Sequence, residues 1–387
     1  MRRNKTLCLC FAMLIILLAA GQSRALPPEP NIPADAMGHQ LLPVYRKQIS
    51  QRIKWWKQLF VIARTNQDIL DAREGLVGDY NLYSHPRYQL AFARESVKEL
   101  KGMLDGKGFT AGDRLAEQKQ INLAIAFSGF SSRGTSPALS VMVRSTNEGM
   151  RYLGWAGYEN ICPHLLKIGP KTAGKFVKSA GAAAIAETNP LILRKILLVM
   201  KRAAEDKTVP ARTARAVRKQ LVDTLARAWP GWRGKVRSLD SAFAQSLASA
   251  VAVLAEAAPA AKQSKTKRMK VLQMVVNLAY DAAYVYDQAL QASAGGFEKI
   301  TDDQARKRKA QANQKLQQAC KKLLSACETA LNKITGQGKT PLAQAQVTKV
   351  DPGAAVLGAV LDWAADLKNQ GVTDPSKEAI GNKKNSK

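Results

Sequence analysis

The sequence predicts an all-α protein, an elongated helical bundle or irregular α-array led by a long N-terminal helix of coiled-coil type. Apolar residues recur at steps of three and four, cap residues stand directly ahead of prolines at helix starts, and strand-type alternation is almost absent. A chain of 387 residues with 46% hydrophobic content can bury a core. Its 59 Lys and Arg face 30 Asp and Glu, for a formal net charge of +29. Such an excess is a statement about partners rather than about fold.

Residues 1–25 carry the marks of a secretory signal: basic Arg2, Arg3 and Lys5, an uncharged apolar run from Leu7 to Ala20, and the small-residue end Ser23-Arg24-Ala25. The run is shorter than the ~20 residues a permanent span needs, so cleavage after Ala25 is expected, and Cys8 and Cys10 leave with it. The remaining chain keeps a net charge of about +25. No later segment is apolar for long enough to span a bilayer: 246–261 contains Glu256 and Pro259, and 191–200 contains Arg194 and Lys195. A soluble protein of the periplasm, cell envelope or exterior is the expectation.

Residues 26–39 are a proline-rich leader, expected to be extended and unpacked. From Gln40 to Arg73 the residues Ile49, Ile53, Trp56, Phe60, Ala63 and Leu70 form a seam, with Gln67 in the missing place, and predict one helix ended by Gly75 and Gly78. Further helices are expected at 86–103, 113–127 and 137–153, which makes 40–153 an N-terminal helical region. The Gly- and Pro-rich stretch 154–174 reads as a connector. An Ala-rich basic region, 175–368, follows with helices at 190–205, 210–229, 239–258, 264–293, 302–334 and 352–368. Asn189 before Pro190 and Asp351 before Pro352 are cap signals, and Thr301-Asp-Asp-Gln304 fits a capping box. No fixed repeat period is present, and the polar tail 369–387 is expected to be disordered.

The chemistry-bearing residues are few. His39, His85 and His164 match no zinc spacing, so neither a metal nor a cofactor is expected. Cys162-Pro-His164 places a thiol near an imidazole, yet sequence proximity alone is a weak sign of a nucleophile, and a loop or structural disulfide explains it better. On one helix Cys320 and Cys327 lie about 10.5 Å apart, so an intrachain disulfide would have to join Cys162 to Cys320 or Cys327; three buried thiols are the alternative. The 106–112 loop has the wrong glycine spacing for a phosphate cradle, and Glu95, Glu117 and Glu148 read as solvated helix positions. No feature selects an enzyme. A site assembled from residues distant in sequence is the form in which one would be present.

Two sets of residues point to binding. Ile53, Trp56 and Phe60 on the seam, with Trp55 roughly 100° around the helix, are candidates for a partner helix or a second copy. Trp229-Pro-Gly-Trp232 reads as a plug at a helix exit, and Tyr280, Tyr284 and Tyr286 as core with wet hydroxyls. The basic clusters Lys262–Lys270, Arg306–Lys309, Lys321-Lys322 and the tail argue jointly for a polyanion. Candidate anion contacts are Lys265, Lys267, Arg268, Lys270, Arg306, Lys307, Arg308 and Lys309. Without a nucleic-acid-reading motif, sequence-specific nucleic acid is not expected, and an anionic polymer or membrane surface is. The leading expectation is an exported non-enzymatic protein that attaches to an anionic envelope surface and to a protein partner. A structural subunit of an envelope secretion or conjugation apparatus is the alternative.

Overall fold

In the computed structural model the protein is all-α; among the described residues there is no strand, only an isolated bridge between Lys107 and Phe109. The structure describes residues 28–32, 43–109, 112–220, 265–295, 301–338, 341–347 and 351–376, with scattered helical positions between 223 and 252. The signal segment, His39 and the Trp229–Trp232 turn lie outside the described residues, as does most of the helix expected at 239–258. Two units divide at Lys119 and Gln120.

The first unit is built on α1 (Pro43–Ile62), which packs on α2 (Asn66–Asn81) and α3 (Pro86–Leu104). The expected seam is real as far as it goes: Ile49, Ile53, Trp56, Phe60 and Ala63 are buried. Fully burying such an apolar side chain stabilises by about 1.5–3 kcal/mol. The single helix over 40–73 is instead two helices. Thr65 breaks it, because its hydroxyl accepts from the Asp68 amide at 3.1 Å while the Asp68 carboxylate accepts from the Thr65 and Arg64 amides at 2.9 Å. This capping box starts α2, whose core face is Ile69, Ala72 and Leu76 rather than Leu70. Gly75 and Gly78 do not end the helix. A Cβ at Gly75 would fall inside the Trp56 ring, so glycine is what lets α2 approach α1.

Leader residues 28–32 have no regular secondary structure, but they are not unpacked. Ile32 is buried, and its carbonyl accepts from the Tyr83 hydroxyl at 3.2 Å. At the far end of the unit, Lys119 is 2% exposed and donates to the Val61 carbonyl at 3.0 Å and to Asp113 at 2.9 Å. A cation thus meets a free carbonyl at the C-terminal end of α1, where the helix dipole favours it.

α4 (Ala116–Gly129) crosses the division between the units. The second unit continues with α5 (Ser136–Met142), α6 (Glu148–Leu166), α7 (Pro170–Ala186) and α8 (Pro190–Glu205). The helix expected over 137–153 is broken at Asn147, whose side chain accepts from the Met150 amide at 3.1 Å and starts α6. The expected connector 154–174 is mostly helix: Gly154 and Gly157 lie within α6 and leave room for Val143 and Leu139. These glycines serve close packing, a role that composition cannot distinguish from a loop. Arg151 forks onto Glu187 at 3.0 and 3.2 Å, and Glu187 also accepts from the Thr188 and Asn189 amides, which fixes the α7–α8 turn. Asn189 caps α8 as expected.

Residues 211–220 are also helical, and the described residues of the unit further on include a pair of long helices, α9 (Lys265–Gly295) and α10 (Asp303–Thr335), followed by α11 (Pro341–Gln346) and α12 (Pro352–Asp366). α9 packs on α10 and α12. The α10 cap is Asp302, accepting from the Gln304 and Ala305 amides at 2.8 and 3.2 Å, one residue beyond the expected Thr301. Asp351 caps α12. Glu328 of α10 caps α11 by accepting from the Leu342 and Ala343 amides at 2.8 and 3.2 Å. The tail expected to be disordered from 369 onward packs through 376. Val372 is buried, and Gln273 exchanges hydrogen bonds with the Thr373 backbone.

The Gly75 contact gives the first prediction. Gly75→Ala gains about 1 kcal/mol of helix propensity but collides with a Trp56 ring held by Asp79, so it should destabilise by a net of about 1–3 kcal/mol in urea unfolding. In a Trp56→Leu background the same change should be neutral or stabilising. An unaltered penalty there would disprove the contact.

Candidate functional site

Burial and partners separate the expected site residues into those already used and those left over. Ile53, Trp56 and Phe60 are 0%, 7% and 0% exposed, so they are core of the first unit and not a free docking seam. The reason is the break at Thr65, which folds α2 back onto the face that a continuous helix would have presented. Trp55 is half-buried and stands edge-on to Trp56, and the Arg52 guanidinium lies 4.9 Å from the Trp55 ring. Arg52 in turn forks onto Asp79 at 2.5 and 3.1 Å, and the Trp56 indole donates to the same carboxylate at 2.5 Å. The Tyr88 hydroxyl donates to the Asp79 carbonyl at 2.8 Å. Burial lowers the tendency of Arg52 to hold its proton, but Asp79 and Glu29 outweigh it and raise its pKa. This node is a buried charge pair with its hydrogen bonds filled.

Among the described residues the thiols and imidazoles do not gather into one site. Cys162, Cys320 and Cys327 are free and buried, so no disulfide joins Cys162 to either partner. Cys162 sits on α6 with its Sγ 3.7 Å from the Val199 carbonyl of α8, whereas Cys320 and Cys327 lie on α10. Burial pushes the Cys162 and Cys320 thiols up to about 12, and raises Cys327 as well. His164 is exposed in the last turn of α6, and His85 is a helix cap accepting from the Arg87 amide at 3.3 Å. Among the described residues no group of three or more metal-binding side chains is gathered. Glu95 pairs with Lys98, and Glu148 with Arg151.

The basic residues are otherwise placed. Arg306, Lys307, Arg308 and Lys309 are all exposed in the first turns of α10, as are Lys315, Lys321, Lys322 and Lys333 further along it. Arg306 stands 3.6 Å from Asp303, and the Lys321 ammonium lies 5.6 Å over the Tyr286 ring of α9. Against these eight cations α10 has two acids, Asp303 and Glu328, and Glu328 is turned inward onto α11. Arg308, Lys315, Lys322 and Lys333 are separated by seven, seven and eleven residues. At 100° per residue they fall within about 40° of one another, forming a line about 37 Å long with an initial spacing near 10.5 Å. Of the expected contacts on α9, Lys270 is exposed and Arg268 donates to Gln370 at 3.2 Å, while the Lys265 and Lys267 side chains lie outside the described residues. Clustering in sequence does not reveal Lys315 and Lys333, because each stands alone. Their heptad and eleven-residue spacing is the signal that locates them.

No family model and no curated protein matches the chain. Among solved structures, a crystal structure of an engineered protein aligns over 84% of this chain and 89% of that one, at 14% identity with a TM-score of 0.28. Similarity at that level carries no argument. Among the described residues no helix is long and apolar enough to cross a membrane.

Thiol chemistry supplies the second prediction. Burial, which pushes the Cys162 and Cys320 thiols up to about 12, keeps them protonated and unreactive at pH 8. In the chain lacking residues 1–25, a water-soluble disulfide reagent should label fewer than one thiol under native conditions and all three in denaturant. Rapid native labelling of Cys162 would contradict its burial.

Proposed function

We propose that the protein is an exported, non-enzymatic helical binding protein that holds a linear anionic polymer along α10. The observation that carries this reading is the line of Arg308, Lys315, Lys322 and Lys333, all exposed on one face of a 33-residue helix. Four cations in register along one axis match a charged chain laid parallel to the helix. The neighbouring Arg306, Lys307 and Lys309 widen the positive field at the start of the line. Binding of this kind draws its free energy from release of counterions, so it is steeply salt-dependent and indifferent to sequence. The sequence features of residues 1–25 support delivery outside the cytoplasm, where acidic envelope polymers supply the ligand class.

The test compares two variants of equal charge. Changing Arg308, Lys315, Lys322 and Lys333 to Gln should lower the slope of log affinity against log salt on a sulfated polysaccharide by about 3, at roughly 0.7–0.9 per contact. Changing Arg46, Lys47, Lys54 and Arg64, exposed cations of the first unit, to Gln should lower it by less than about 1. Equal losses would mean that net charge alone is responsible and would refute the line as the site.

A further inference from the structure

The exposed face of α10 carries a second chemistry beside its charge. Gln304, Gln311 and Gln318 are all exposed and stand four residues ahead of Arg308, Lys315 and Lys322 respectively, so amide and cation alternate along the helix at steps of four and three. Each amide lies about 40° around the helix from the cation that follows it, and the mean step from one kind to the other is about 5 Å along the axis. Ser325 and Thr329, also exposed, fill the longer gap between Lys322 and Lys333 with hydroxyls. No acid of α10 interrupts the row: Glu328 is turned inward onto α11, and Asp303 is about 140° around the helix from Arg308.

The outward amides are left over from folding. Gln317, which faces α9, donates to the Ala289 carbonyl at 3.2 Å and to the Ser293 hydroxyl at 3.0 Å, whereas among the described residues the Gln304, Gln311 and Gln318 side chains bond to no protein group. An amide both donates and accepts, while Lys and Arg only donate. A polyanion charged at every unit and offering only acceptors, such as polyphosphate, uses the cations and leaves the amide oxygens without a partner. A chain that alternates an anionic unit with an uncharged one bearing hydroxyl or acetamido groups uses both. A linear polysaccharide has this order, and its advance per sugar ring is close to the step between amide and cation.

We infer that the polymer held along α10 is a polysaccharide in which an anionic sugar alternates with an uncharged, hydroxyl-bearing one. The inference rests on the reading of the positive line as a polymer site and adds to it a hydrogen-bonding contribution that counterion release does not supply. Salt separates the two: losing a cation lowers the slope of log affinity against log salt, whereas losing an amide lowers affinity equally at every salt concentration. A shorter form of the pattern, Lys47, Gln51, Lys54 and Gln58 on the exposed face of α1, ends at apolar Ile62 after two cations and serves as the control.

The test measures binding of the full chain, across a salt series, to a polysaccharide of alternating glucuronate and N-acetylglucosamine and to polyphosphate. Gln304→Ala, Gln311→Ala and Gln318→Ala together should weaken polysaccharide binding about tenfold, roughly twofold per amide, with the salt slope unchanged. Polyphosphate binding should change by less than about twofold. Alanine is the stronger helix former at these exposed positions, so the variant keeps the fold. Gln51→Ala with Gln58→Ala should leave both affinities within about twofold. Unchanged polysaccharide affinity in the triple variant would overturn the inference, as would equal losses on the two polymers, an equal loss in the α1 control, or polysaccharide binding too weak to measure where polyphosphate binds. These outcomes leave the positive line standing; it fails instead if replacing its cations leaves the salt slope unaltered.

Discussion

A charge is removed from water only beside its opposite, and this chain carries about two cations for every anion. The architecture follows that constraint. Among the described residues the buried cations Arg52 and Lys119 each hold a carboxylate, Asp79 and Asp113, and half-buried Arg151 holds Glu187. Other acids cap helix starts, as at Asp302, Asp351 and Glu328. Along α10 the balance is one-sided, because Glu328 is turned inward onto α11 and Asp303 alone among the acids of α10 faces solvent against eight exposed cations. The positive line thus marks a helix whose outer face has almost no carboxylates, with Lys315, Lys322 and Lys333 facing solvent.

The pairs also explain why the N-terminal seam is not a docking face. Trp56 donates to the carboxylate that fixes Arg52, and Gly75 makes room for its ring, so indole, guanidinium and carboxylate form one interior node between α1 and α2. An aromatic beside basic residues in sequence suggests a surface. Here the basic neighbour that matters, Arg52, turns inward with it.

Much of the fold was legible. The proline-start helices at Pro86, Pro190 and Pro352 and the long helices α9 and α10 lie close to their expected bounds, because cap chemistry and apolar periodicity are local. What failed was nonlocal or ambiguous. Thr65-x-x-Asp68 was a readable capping box, but a seam spaced by seven from Ala63 to Leu70 ran straight through it. Gly154 and Gly157 look like loop residues until a neighbouring helix is present to need the space. The leader and the segment 369–376 carry no periodicity, and their packing rests on single contacts such as Tyr83 to Ile32 and Gln273 to Thr373. Of the candidate site, the cluster at 306–309 is legible as a run, whereas Lys315 and Lys333 stand alone in sequence and are located only by their seven- and eleven-residue spacing along the helix already expected over 302–334.

Lysine footprinting tests the central claim most directly. Acetylation of surface amines, read by mass spectrometry with and without a linear sulfated polysaccharide, measures which cations the polymer covers. Protection should concentrate on Lys315, Lys322 and Lys333, with Lys47 and Lys54 labelled as in the free protein. Protection spread evenly over all exposed lysines, or centred on the first unit, would contradict the account.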